Sequence, residues 1–466
     1  MSTIADKLQE LINSKADMKS AIAEKGVEVE GGLTTYAAAI RKIQQGLGDR
    51  FAAIGYNEEN TGGFLQEVNT NLDVADEILA EWNSTEWANV DMNKWKDVAV
   101  YFPAVDLTRY PSYNIFRFLE WYKLQVVPSL DFTGKTNMNA LFFKCKSLKY
   151  IGNIIGTESV TDMSLAFGEC SSLTSIPQLN TSSVTSMHDM FSGCASLTSI
   201  PQLDTSNVTD LSEMFQGCSS LTSIPQLNTS SVTNIYQMFQ GCTSLTSIPQ
   251  LDTSSVINMG SMFEGCISLT TIPQLDTSSV SSMSGMFKGC SSLTSIPQLD
   301  TSSVSSMSGM FKGCSSLTSI PQLNTSSVID MGSMFEGCAS LTSIPQLNTS
   351  SVSSMSDMFE GCLSLTSIPL LDCSSITNTY SPFRYVSLNE LTDLGGFKNL
   401  KVSWDYNFLN RVPYATVESL MNVINNLYDL TANGLSGQTL NFGTTNLNKL
   451  TDEQKAVAIN KGWTLI

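Results

Sequence analysis

Three kinds of side chain could carry chemistry here: a column of cysteines, a column of aspartates and a single histidine. The cysteines stand at 170, 194, 218, 242, 266, 290, 314, 338 and 362, each 24 residues after the last. A thiol attacks as its thiolate and needs a neighbouring base or cation to form it. His188 is the one histidine in the chain, so the other coils have no such base. The column therefore reads as reduced, buried thiols that serve as small hydrophobes. The opening MSTIADKLQELINSK has no apolar signal core, so an oxidising compartment and disulfides are not expected.

His188 sits beside Asp189 with no nucleophile at a dictated spacing, and one histidine cannot build a three-histidine or HExxH zinc centre. Asp252, Asp276 and Asp300 share one column, where oxygens on adjacent coils could hold calcium. Asn180, Asn228, Asn324 and Asn348 take the same place, which favours turn and cap formation instead. No catalytic residue, metal ligand or cofactor is expected.

The elements that must position these residues follow from the repeat. A fixed 24-residue period is the signature of a solenoid whose units bury their faces only by stacking. In the unit from Cys194 to Cys218, Leu197 to Ile200 predicts a short parallel strand, and Pro201 ends it because proline cannot donate to a ladder. From Val208 the apolar residues fall at helical spacing, through Leu211, Met214 and Phe215, and Gly217 supplies a stop. The fold class expected is an α/β solenoid, a right-handed stack of short parallel strands and short helices, with two methionine columns in the core.

Worn copies extend the stack in both directions. Cys145 lies in a degraded unit, and FLEWYKLQVVPSLD from Phe118 aligns with FEGCISLTTIPQLD from Phe263, so Trp121 stands where cysteine stands elsewhere. Trp82, Trp87, Trp95, Tyr101 and Phe102 read as an aromatic cap on the open end. After Pro369 the pattern decays, Phe383 keeps the phenylalanine register, and a helix over 416–428, a strand in GQTLNFG and a capped helix with a last strand in LTDEQKAVAINKGWTLI form an αβ cap. The chain thus divides into a helical attachment or oligomerisation segment (1–47), a linker and N-terminal cap (48–97), the solenoid (98–380) and the C-terminal αβ cap (381–466).

A net charge of −18 argues against nucleic acid or an anionic membrane as partner. No run of 18 apolar residues is present, so no membrane insertion is expected. Glu264 with Lys288, and Lys312 with Glu336, are expected surface ion pairs between coils. Two places could recognise a ligand. One is the set of positions that change from coil to coil, namely His188, Asp189, Asp210, Glu213, Tyr236, Gln237, Asp330 and Asp357. The other is the aromatic C-terminal cap around Tyr380, Arg384, Tyr385, Trp404, Tyr406 and Asn407, which suits sugar stacking and protein hot spots.

The coil resembles the BspA-type, Treponema-like branch of the leucine-rich repeats, with the pattern F-x-G-C-x-S-L-T-S-I-P met at Phe215, Gly217, Cys218, Ser220, Leu221, Thr222, Ser223, Ile224 and Pro225. KADMKSAIAEKGV and LTDEQKAVAINKGWTL are similar to segments of structural proteins from phages of gut Bacteroides-type bacteria. The two resemblances together imply a non-enzymatic virion protein, a tail or head fibre, that projects the solenoid towards the host. They also imply attachment to other virion proteins through residues 1–47, a homo-oligomer with a trimer favoured, and a glycan or protein of the host surface as ligand. A bacterial surface adhesin is the alternative reading, and a polysaccharide-degrading enzyme a more distant one.

Overall fold

The computed structural model describes residues 72–84, 92–103, 105–107, 116–383, 388–404 and 409–466. The helices expected over residues 1–47, and Trp87, lie outside this set.

A 24-residue unit has too few apolar side chains to enclose a core alone, and stacking completes it. In one coil Leu197, Ile200, Leu203, Val208, Leu211, Met214, Phe215 and Cys218 all point inward and are buried. The phenylalanines from Phe118 to Phe383 stack ring on ring, with centroids 5.1–6.2 Å apart and planes within 3–27° of parallel. Trp121 occupies the cysteine place and is buried. All eleven cysteines are buried and free of disulfides. Each thiol of the regular coils donates to a phenylalanine carbonyl of the preceding coil, as Cys218 Sγ does to Phe191 O at 3.1 Å. Burial pushes the thiols up, to about 12 for Cys194, Cys266 and Cys338, so thiolate chemistry is closed to them.

The coil departs from the expected strand and helix. Between residues 156 and 366 no helix forms, and the only ladder is a run of single parallel bridges, Asp162 to Ser186 to Asp210 to Asn234 and onward to Ser354. These bridges lie in the segment that the apolar spacing marks as helical. There Glu213 and Gly217 adopt left-handed φ of 57° and 70°, which interrupts a helix every fourth residue. The N–H groups of Leu211, Glu213, Phe215 and Gly217 donate instead to carbonyls of the next coil, Asn234, Tyr236, Met238 and Gln240, at 3.0, 2.9, 2.9 and 2.7 Å. Tight turns such as Gln216 N to Glu213 O (3.0 Å) fill the spaces between them. The physical reason is thickness. Helices pack roughly 8–10 Å apart, whereas Phe215 and Phe239 stack at 5.6 Å. The spacing correctly marked which side chains face the core, but the backbone meets it with flat turns.

True strands survive only at the two ends. At the start β1 (Val105–Asp106), β2 (Val126–Asp131) and β3 (Tyr150–Ile155) form a parallel sheet, with Val126 opposite Tyr150 and Leu130 opposite Ile154. In β3 the sequence IGNII replaces IPQL, while β2 runs on through Pro128 and pairs with β3 on either side of it. The helix α1 (Leu72–Ser84) brings Trp82 edge-on against Phe102 and Phe116, at 6.1 and 5.8 Å, over the open end.

At the far end β4 (Ser367–Ile368) pairs with β6 (Asp393–Leu394), and β5 (Leu371–Asp372) with β7 (Phe397–Lys398), all parallel. Gly395 replaces the proline there, and a Cβ on it would run into the backbone of Leu370. The cap continues with α2 (Val417–Asn426), β8 (Gln438–Leu440), α3 (Gly443–Leu447), α4 (Asp452–Asn460) and β9 (Trp463–Leu465), which lies parallel to β8. Thr416 caps α2, and Thr451 with Gln454 forms a capping box on α4. No helix among the described residues is long and apolar enough to cross a membrane.

Candidate functional site

Pro-Gln-Leu-Asp/Asn-Thr recurs once per coil, and the structure explains each letter. Proline withdraws one backbone donor from each coil on this side. The next residue replaces it: Gln202 Nε2 donates to Gln226 O of the following coil at 2.7 Å and to Leu203 O at 3.1 Å. The same contact repeats from Gln178 to Gln346. Threonine does the equivalent from inside. Thr181 is buried, donates to Asp204 O at 2.8 Å and accepts from Asp204 N at 2.8 Å. Each Asp or Asn folds an Asx turn, as Asp252 Oδ1 does by accepting from Ser254 N and Oγ at 3.1 and 2.7 Å. Those serine donors favour the charged form and hold the carboxyls of Asp204, Asp252, Asp276 and Asp300 below their usual range.

This side of the stack is an open groove. One stretch, of about 1370 Å³, is lined from Gln202 to Asp300, and a second, of about 840 Å³, from Gln298 to Asp372 with Lys398 at its end. The two share Gln298 and Asp300, so one trough runs along nine successive levels of the stack, from Gln202 to Lys398. From Gln202 to Asn348 it repeats a glutamine amide and a carboxylate or second amide at each level, over a leucine that is almost fully buried, and Leu370 takes the glutamine place at the level after that.

The other faces vary. Ser192, Gln216, Gln240, Glu264 and Lys288 form a hydrogen-bonded row, with Gln216 Nε2 to Gln240 Oε1 at 2.7 Å and Gln240 Nε2 to Glu264 Oε2 at 3.0 Å. The expected ion pairs are present, Lys288–Glu264 at 2.8 Å and Lys312–Glu336 at 2.7 Å, and each contributes a few tenths of a kcal/mol at such exposure. Among the described residues, the one group of three His, Cys, Asp or Glu side chains whose ligand atoms lie within 4.8 Å of one another is His188, Asp189 and Glu213. Sequence reading marked these as variable positions without joining them. The join is legible in hindsight, because residue 213 lies one coil and one residue beyond 188. The aspartate column does not gather in this way.

Of the cap residues singled out by sequence, Tyr380 is exposed at the end of the stack. Trp404 is not on the surface. It is buried edge-on against Phe397, 5.1 Å between centroids, as the continuation of the aromatic core. Arg384, Tyr385, Tyr406 and Asn407 lie outside the described residues.

Comparison with known proteins places the repeat. Similar solved structures include a leucine-rich repeat protein of T. pallidum, 27% identical over 36% of this chain and 76% of that one, with a TM-score of 0.30. Others are leucine-rich repeat proteins of Bacteroides ovatus (19% identical, 61% and 84% covered, TM-score 0.31) and Eubacterium ventriosum (15%, 67% and 85%, TM-score 0.37). The stacked coils of this chain, rather than those distant superpositions, establish the repeat architecture. No curated protein matches. The family described as "Mycoplasma protein of unknown function, DUF285" matches residues 136–248, 221–319, 244–341 and 292–393, an unbroken span of more than half the chain, and the chain belongs to that family.

Proposed function

We propose that this protein is an attachment fibre of a phage particle, in which the solenoid is a rigid spacer and its long groove grips an extended polymer of the host surface. The groove's repetition from level to level carries the binding part of this reading. A repeating glycan can engage several levels at once, so weak contacts sum through multivalency. The virion setting is supported by the likeness of KADMKSAIAEKGV and LTDEQKAVAINKGWTL to phage structural segments. In this reading residues 1–47 join other virion proteins and drive homo-oligomerisation, with a trimer favoured, and no catalysis is assigned.

Two measurements test it. Mass spectrometry of purified particles should find the chain; its absence from virions would remove the phage setting. Replacing Asp252, Asp276 and Asp300 with lysine should reduce binding of the purified protein to host cells or their capsule, and unchanged binding would remove the groove from the reading. The family's description as a Mycoplasma protein supports a bacterial setting, and the second reading is a bacterial surface adhesin with the same groove. Surface labelling of intact cells that carry no phage would decide for it.

A further inference from the structure

We propose that His188, Asp189 and Glu213 form a binding site for a borderline divalent transition ion of the zinc class, outside the groove and independent of the attachment reading. Hydrogen-bond direction fixes the imidazole. Ser212 O can only accept, and it lies 3.2 Å from His188 Nδ1. Ser212 Oγ lies 2.8 Å from the same nitrogen, and its own proton goes to Asp210 Oδ1 at 2.6 Å. Nδ1 therefore carries the hydrogen, and in the tautomer that carries no second one Nε2 presents its lone pair on the other side.

That lone pair meets Asp189 Oδ2 at 2.9 Å, with a Glu213 oxygen in the same cluster. Two acceptors at this distance need a cation between them, either a proton or a metal ion. An imidazole nitrogen with two carboxylate oxygens suits Zn²⁺, Mn²⁺ or Ni²⁺, whereas Ca²⁺ takes oxygens only. The Nδ1–H bond to Ser212 is the outer contact that orients a metal-binding histidine. Burial pushes the carboxyls of Asp189 and Glu213 up, and for Glu213 the Asp189 charge adds to it, so a cation placed between them relieves both. Asp210 adds negative charge beside the pair. His188 is 39% exposed in its side chain, so an ion can enter from solvent. Three protein ligands leave coordination positions open for water or an oxygen of a partner.

The test uses the full chain under reducing conditions with Zn²⁺ and Co²⁺ as probes. Calorimetry should show one ion per chain. The single imidazole resonance should shift on Zn²⁺ addition, a readout that needs no mutation. His188→Ala should abolish binding, Glu213→Gln should weaken it, and Ser212→Ala should weaken it about tenfold, while Asp330→Asn leaves it unchanged. An unmoved imidazole signal would overturn the proposal and leave the contact of His188 Nε2 with Asp189 Oδ2 without a metal ion. Binding that survives in His188→Ala, or thiolate-to-cobalt charge-transfer absorption, would overturn it by placing the ion elsewhere.

Discussion

The groove side and the turn side of the same coil are built on opposite plans. On the turn side the backbone itself joins coil to coil, through N–H groups such as those of Glu213 and Phe215. Its outward side chains are therefore free to differ, and they do: His188, Ser212, Tyr236, Gly260 and Ser284 follow one another in a single column. On the groove side proline has removed a donor, and Gln Nε2 and Thr Oγ1 make the joins. Those side chains cannot change without unpairing their neighbours, so the groove repeats one chemistry along its length. Uniformity in a repeat protein can thus be a structural demand that produces a periodic surface as its consequence.

Beneath both sides lies one shared column of rings, and the largest effect should come from interrupting it. Phe263→Ala removes a fully buried ring stacked between Phe239 and Phe287. It should cost about 3–5 kcal/mol. Because each repeat contacts only its neighbours, denaturant unfolding should also lose cooperativity, and a second transition should appear. An unchanged single transition would mean that the two halves are not coupled through this column.

Removal of a groove-side join should come next. Thr181→Val keeps shape but takes the partner from both Asp204 N and Asp204 O, and an unpaired buried amide or carbonyl costs about 1–3 kcal/mol. Thr209→Val on the turn side leaves the backbone bond Thr209 N to Thr185 O (3.1 Å) in place and should stay within about 0.5 kcal/mol. Equal effects of the two, measured by denaturation midpoints, would erase the distinction between the faces. Gln202→Ala should fall between them, near 1 kcal/mol, because water can reach the carbonyls it leaves.

This contrast also marks how far the sequence could be read. Period, core positions, the tryptophan in the cysteine place and the capped helices of the C-terminal end all follow from apolar spacing and cap chemistry. What spacing could not supply was the backbone conformation between Val208 and Gly217, since one helical face and a run of tight turns bury the same residues. Coil thickness decides between them, and it is a property of the stack rather than of any one unit. Trp404 was misplaced for a related reason: an aromatic near the end of a repeat reads equally as binding surface or as core, and contact with Phe397 settles it. The Gln and Thr joins had a signal, polar residues unvaried across copies beside a proline, that composition alone did not interpret.

The smallest effect is the most discriminating, because acid should move the two faces in opposite senses. Asp252, Asp276 and Asp300 have folded-state pKa values below the ordinary 3.8, held there by serine donors. Their contribution is present above the unfolded value and is lost as pH falls through the folded one, so they weaken the fold only below about pH 4. Asp189 and Glu213 have values raised above 3.8 and 4.5 by burial. Their charged forms disfavour folding at neutral pH, and that penalty lifts as pH falls through the raised values, before the groove carboxylates begin to titrate. Asp189→Asn with Glu213→Gln should therefore flatten stability between neutrality and pH 4, whereas Asp→Asn at 252, 276 and 300 should flatten it only below pH 4, the Asx turns surviving because Asn Oδ1 accepts the same bonds. Thermal midpoints measured across the pH range separate the two. If both sets of variants alter the same pH window in the same direction, the faces do not differ in their electrostatics as the hydrogen bonds require.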